Sequence, residues 1–185
     1  PRTPLRLSQD PAVALILPFI ACMLSGVVAQ AFWQVPAQGY PLQVAVMLVA
    51  VLAVWRPLIA QLGGLRLDPV AGAIGLAVGV LWVGMSPQGD EARLGLSALS
   101  AGAMLVWAVA RVVGTVLLVP LIEEAFFRGY IMAQLDRGLG RSLWGRGVAI
   151  AVSTALFALM HGRLVLAGIA GVFFAIEMMR RGRMG

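Results

Sequence analysis

Apolar residues in this chain gather in runs at about 11–33, 41–62, 69–86, 95–136, 147–161 and 164–179, separated by proline, glycine or arginine. Most runs are apolar all round and lack the polar stripe of an amphipathic surface helix, as expected of helices covered by lipid. A helix needs about 20 apolar residues to cross a hydrocarbon core of about 30 Å. The pattern predicts an all-α polytopic transmembrane helix bundle with six membrane-embedded helical elements, read as a single transmembrane domain over residues 1–185. The fourth run would extend about 60 Å as a helix, too long for one span. A break is expected at Pro120, whose ring removes the hydrogen bond to the Val116 carbonyl, with Arg111 as a second boundary.

Composition supports the membrane reading: the 185 residues are 61% hydrophobic and 12% charged, with a mean hydropathy of +0.93. Every cation is an arginine, giving a formal charge of +6. The arginines stand singly between apolar runs and form no aromatic-rich basic face, so no nucleic-acid partner is expected. They cluster at 2 and 6, at 56 and 66, at 137, 141 and 146, and at 180, 181 and 183. The 34–40 connection has none, and the 87–93 loop offsets Arg93 with Asp90 and Glu91, an alternation that fits cytoplasmic termini. Cys22, alone, forms no internal disulfide and no cysteine zinc site. The chain starts at Pro1, and its first run lacks an A-x-A-like processing site. That start reads as an excised boundary, with no cleaved signal peptide. Gly75-x-x-x-Gly79 and the series Ala167, Gly171, Ala175 are expected to allow close helix packing. The nine methionines and five tryptophans read as packing and interfacial residues.

Candidate chemistry concentrates in Pro120-Leu-Ile-Glu123-Glu124-Ala-Phe-Phe-Arg128-Gly129. Two carboxylates inside an apolar helix would cost about 5 to 7 kcal/mol if unpaired, which marks a functional site. Glu124 and Arg128 stand four residues apart on one helix face and are expected to pair, while Glu123 points about 100° away. His161, the one histidine, follows Phe157 by four residues on the next helix. A hairpin centred on residue 142 would bring Glu123 and His161 to equal depth, roughly 20 Å below the arginine-rich edge. There a carboxylate can deprotonate a water while an imidazole donates to a developing oxyanion, as peptide hydrolysis requires.

Glu123-Glu124-x-x-x-Arg128, followed about thirty residues later by Phe157-x-x-x-His161, resembles the first two motifs of the CAAX protease and bacteriocin-processing family of intramembrane peptidases. That family includes the CAAX prenyl endopeptidases and an abortive-infection-like group. The likeness covers about residues 112–180, a catalytic core, whereas residues 1–94 match only as generic membrane helices. It implies Glu123 as the base that activates water, Glu124 as its catalytic neighbour, His161 as a catalytic or oxyanion-binding residue, and Arg128 and Phe157 in support. The family's third motif, a histidine followed four residues on by asparagine or aspartate, has no counterpart, since the chain has no second histidine and no asparagine. The segment from Ile176 to Gly185 resembles what precedes that helix, so truncation is expected, with low activity for the chain as it stands.

Members of the family are often classed as metalloproteases. One histidine cannot build a two-histidine zinc site, so the cofactor is left open between none and a divalent metal such as zinc held by Glu123 and His161. The function expected is endoproteolysis of a membrane-associated or lipid-anchored peptide or protein in the bacterial inner (plasma) membrane, with lipids and that substrate as partners. The alternatives are a non-catalytic membrane scaffold or bacteriocin-immunity protein and, last because no internal repeat is visible, a proton-coupled transporter.

Overall fold

A computed structural model describes residues 9–62, 69–84, 95–162 and 164–180. The arginines at 2, 6, 66, 93, 181 and 183, the acids of the 87–93 loop and the segment after Arg180 lie outside the described residues. The described residues are predominantly helical, with no strand among them, and form an all-α membrane bundle. The helices are α1 (Pro11–Phe32), α2 (Tyr40–Ala53), α3 (Trp55–Gln61), α4 (Pro69–Gly84), α5 (Ala101–Gly138), α6 (Leu143–His161) and α7 (Leu164–Arg180). By length and composition four stretches can span a bilayer: α1, Pro36–Ala53, α5 and α6. The apolar parts of α4 and α7, Gly72–Leu81 and Leu164–Glu177, are shorter.

Two runs fold differently from expectation. The 41–62 run divides at Val54 into α2 and α3, because Pro57 cannot donate to the Ala53 carbonyl and its ring crowds that oxygen. The 95–136 run does not break at Pro120. It starts as α5 at Ala101, where the Ser100 hydroxyl accepts from the Ala103 amide, and stays helical to Gly138. The lost proline bond is absorbed by wide π-type winding over Val113–Leu118, where the Val119 amide reaches back five residues to the Gly114 carbonyl. A second π segment spans Glu124–Met132.

The chain forms two compact units, which divide within α3 between Leu58 and Ile59 and within α5 between Glu123 and Glu124. In the first, α1 packs along α2. Leu15, Pro18, Cys22, Ser25 and Ala29 make one buried stripe at three- and four-residue spacing, against Val44, Met47 and Val51 of α2. The opposite face of α1 carries Leu24 and Val27, about 60% exposed, as a lipid-covered helix requires. Small residues set the approach, since packing rather than water exclusion joins helices in lipid. The first half of α5 packs on α2, and its Val119–Glu123 stretch on α1.

In the second unit α6 and α7 pack side by side, and Met132, Ala149 and Ala175 form a buried cluster with Leu135 and Ile150. Residues 139–142 turn α5 into α6 through two left-handed positions, Gly140 at φ 74° and Arg141 at φ 55°. The Arg141 amide donates to the Asp136 carbonyl, and Ser142 caps α6 by accepting from the Gly145 amide. Buried Asp136 also faces Arg146 Nε at 3.8 Å, so a carboxylate and a guanidinium clasp the hairpin. Ala167, Gly171 and Ala175 are buried as their spacing predicts. Gly75 and Gly79 are not closely packed: among the described residues nothing stands within 4 Å of a Cβ at either.

Candidate active site

The acidic pair divides between the two units. Glu123 ends the first, half-buried where α5 meets α1 and within electrostatic reach of Cys22. Glu124, Arg128, Phe157 and His161 belong to the second unit. There the expected pairing is present: Arg128 Nη1 lies 3.2 Å from Glu124 Oε1.

Arg128 has no exposed surface, and its setting explains how a cation is kept inside an apolar bundle. Its Nη2 donates to the Gly171 carbonyl of α7 at 3.2 Å. Its guanidinium carbon lies 4.6 Å from the centre of the Phe157 ring, 5.7 Å from that of Phe174 and 6.0 Å from that of Phe127. Three ring faces, a carboxylate and a carbonyl dipole together replace water around the charge. Arg128 thereby joins α5, α6 and α7, and Glu124 is left one-third exposed, held by a partner that has little freedom to move.

The π segment carrying Glu124 and Arg128 disturbs the usual carbonyl pairing, and a neighbouring helix compensates. Ser153, buried on α6, donates its hydroxyl to the Phe127 carbonyl at 2.7 Å. This bond centres the hairpin on residue 140 rather than 142. Phe157 therefore stands near the level of Glu124, and its ring meets Phe127 edge-on at 5.4 Å. His161 lies a further turn along α6, about 6 Å.

His161 is half-buried, in the last turn before Gly162, whose φ of 62° ends α6. Its ring sits 4.3 Å from that of Phe157, and Nδ1 lies 2.8 Å from the Phe157 carbonyl. A carbonyl only accepts, so Nδ1 carries the hydrogen and the ring orientation is fixed by its own helix. Glu124, Arg128, Phe157 and His161 thus form one connected chain of contacts.

Two features went unread in the sequence. Ser153 could have been flagged as a hydroxyl at a helix contact. Glu177, a carboxylate only 8% exposed in the apolar α7, carries the same signal that marked Glu123. Among the described residues no three histidine, cysteine or acidic side chains converge to hold a metal ion, and no step proposed below passes through one.

Residues 104–185 match the family model described as Type II CAAX prenyl endopeptidase Rce1-like. This part of the chain is similar to that family. The match contains the acidic pair, Arg128, Phe157 and His161, and it supports a CAAX-type intramembrane protease kind of function. No curated protein and no solved structure gave a match. The matched Rce1-like segment begins within the first turn of α5 and takes in all of α6 and α7.

Proposed function

We propose that the protein hydrolyses a peptide bond in a membrane-associated or lipid-anchored substrate, with Glu123 as the base. The Glu123 carboxylate takes a proton from water as the water oxygen adds to the scissile carbonyl carbon, then passes that proton to the departing amine. His161 stabilises the oxyanion. Because Nδ1–H is committed to the Phe157 carbonyl, Nε2 donates to that oxyanion only when the ring is an imidazolium. Glu124 and Arg128 hold the second π segment in place.

The observation that carries this reading is that the Rce1-like match coincides with a charge pair built on a fully buried arginine, whose anchoring a mere packing contact would not require. The test is cleavage of a prenylated C-terminal peptide by the membrane-embedded protein and by its Glu123→Gln variant. Cleavage is expected to disappear in the variant while insertion and helix content stay unchanged, since glutamine keeps the shape and removes the base. Wild-type cleavage by Glu123→Gln would exclude Glu123 as the base.

A further inference from the structure

Arg111 is a charge that the proposed hydrolysis does not use. It stands on α5 between Val109 and Val112, which are 56% and 62% exposed, and it is itself exposed. Among the described residues no carboxylate pairs with it. Its guanidinium carbon lies 4.8 Å from the centre of the Tyr40 ring.

The first unit fixes the level at which this happens. The 22 residues of α1 rise about 33 Å, the thickness of a hydrocarbon core, so Trp33 just after α1 and Tyr40 at the head of α2 stand at one membrane interface. Trp107, one turn before Arg111, donates its indole N–H to the Ala37 carbonyl at 2.7 Å, at the same level. Trp33, Tyr40 and Trp107 form an aromatic belt at headgroup depth. Arg111 therefore sits where the abundant anion is a phosphodiester.

Its donors are set for such a partner. The Tyr40 ring covers one face of the guanidinium, which leaves the in-plane N–H groups to bind two oxygens side by side. Thr115, one turn further along α5, lies 3.2 Å from the Tyr40 hydroxyl. Two hydroxyls share two hydrogens, and their mutual bond uses one, so the other remains to donate to an anion beside the guanidinium.

We propose that Arg111, Tyr40 and Thr115 bind the phosphate of a phospholipid headgroup. The exposed valines on either side of Arg111 let the acyl chains lie against α5. The site thus takes a phosphate that arrives attached to a lipid.

The test uses the whole chain in mild detergent, titrated with dioleoyl-phosphatidylglycerol and read by native mass spectrometry. Dioleoylglycerol, which has the same tails without phosphate, and inorganic phosphate serve as comparison probes. Wild type is expected to retain phosphatidylglycerol but not dioleoylglycerol, and millimolar inorganic phosphate is expected not to displace the lipid. Arg111→Gln should weaken retention about tenfold, the loss of a charge-assisted pair, and Tyr40→Phe about threefold, the loss of one neutral donor. Tyr40→Phe keeps the ring under the guanidinium, so it also decides the matter should Arg111→Gln fail to fold. Undiminished retention by a folded Arg111→Gln or Tyr40→Phe variant overturns the proposal. So does equal retention of dioleoylglycerol, or displacement by inorganic phosphate.

Discussion

Nη2 of Arg128 reaches the Gly171 carbonyl across 3.2 Å, and it does so where α7 presents no side chain. A Cβ at position 171 would stand 2.8 Å from Thr154 Cγ2 and 3.3 Å from Nη2 itself. Gly171→Ala is therefore expected to destabilise the protein by about 1 to 3 kcal/mol through overpacking. Thr154→Ser, which removes Cγ2, should restore part of that loss in the double variant. Thermal unfolding of the four proteins in one detergent measures the coupling, and strict additivity would show that the two positions do not meet.

The Glu124–Arg128 pair is asymmetric in exposure. Glu124 is one-third exposed and can take up water if its partner goes, whereas Arg128 at 0% cannot. Glu124→Gln should thus cost more stability, about 3 kcal/mol, than Arg128→Met, which leaves a chain of similar length against Phe157 and Phe174. Chemical denaturation of both variants tests the order, and equal losses would mean that Arg128 is compensated mainly by the rings and the Gly171 carbonyl.

Ser153→Ala removes the donor to the Phe127 carbonyl and leaves that oxygen buried. The expected cost is about 1 to 3 kcal/mol. Amide exchange should rise within Glu124–Met132 more than in α1, since the serine holds the wide winding of that segment and not the helix as a whole.

In the first unit Gly114 lies beneath Tyr40, where an added methyl group would collide with the Tyr40 hydroxyl and stand 2.7 Å from Val44 Cγ2. Gly114→Ala should lower the unfolding temperature, and Tyr40→Phe in the same chain should recover part of the loss by removing the nearest atom. No recovery would mean that Val44 and the remaining ring edge, whose Cε1 stands 3.0 Å away, set the limit.

What the sequence made legible was local. The Glu124–Arg128 pair follows from a four-residue spacing, and the end of α6 at Gly162 from the residue that tolerates a left-handed backbone. Membrane character followed from the apolar runs. The π segments were not legible, because wide winding leaves no mark in hydrophobic periodicity, and with them went the fate of Pro120 and the register of the α5–α6 hairpin. Gly75 and Gly79 have the right spacing for close packing, yet among the described residues nothing stands within 4 Å of a Cβ at either, since spacing describes one surface and packing needs two. Glu177 carries in the sequence the same signal as Glu123 and Glu124, a carboxylate in an apolar run, and the structure buries it to 8% exposure.

Arg141 holds a left-handed backbone that an L-residue with a Cβ adopts at a cost of about 1 to 2 kcal/mol, while glycine pays almost nothing there. An arginine near an anionic lipid surface gains about 1 kcal/mol. The turn thus sets a steric penalty against the surface potential of the bilayer, two quantities of similar size and opposite sign. In uncharged lipid Arg141→Gly should stabilise the protein, and in anionic lipid the gain should shrink toward zero. The preferred residue at this corner is consequently a property of the membrane as much as of the chain.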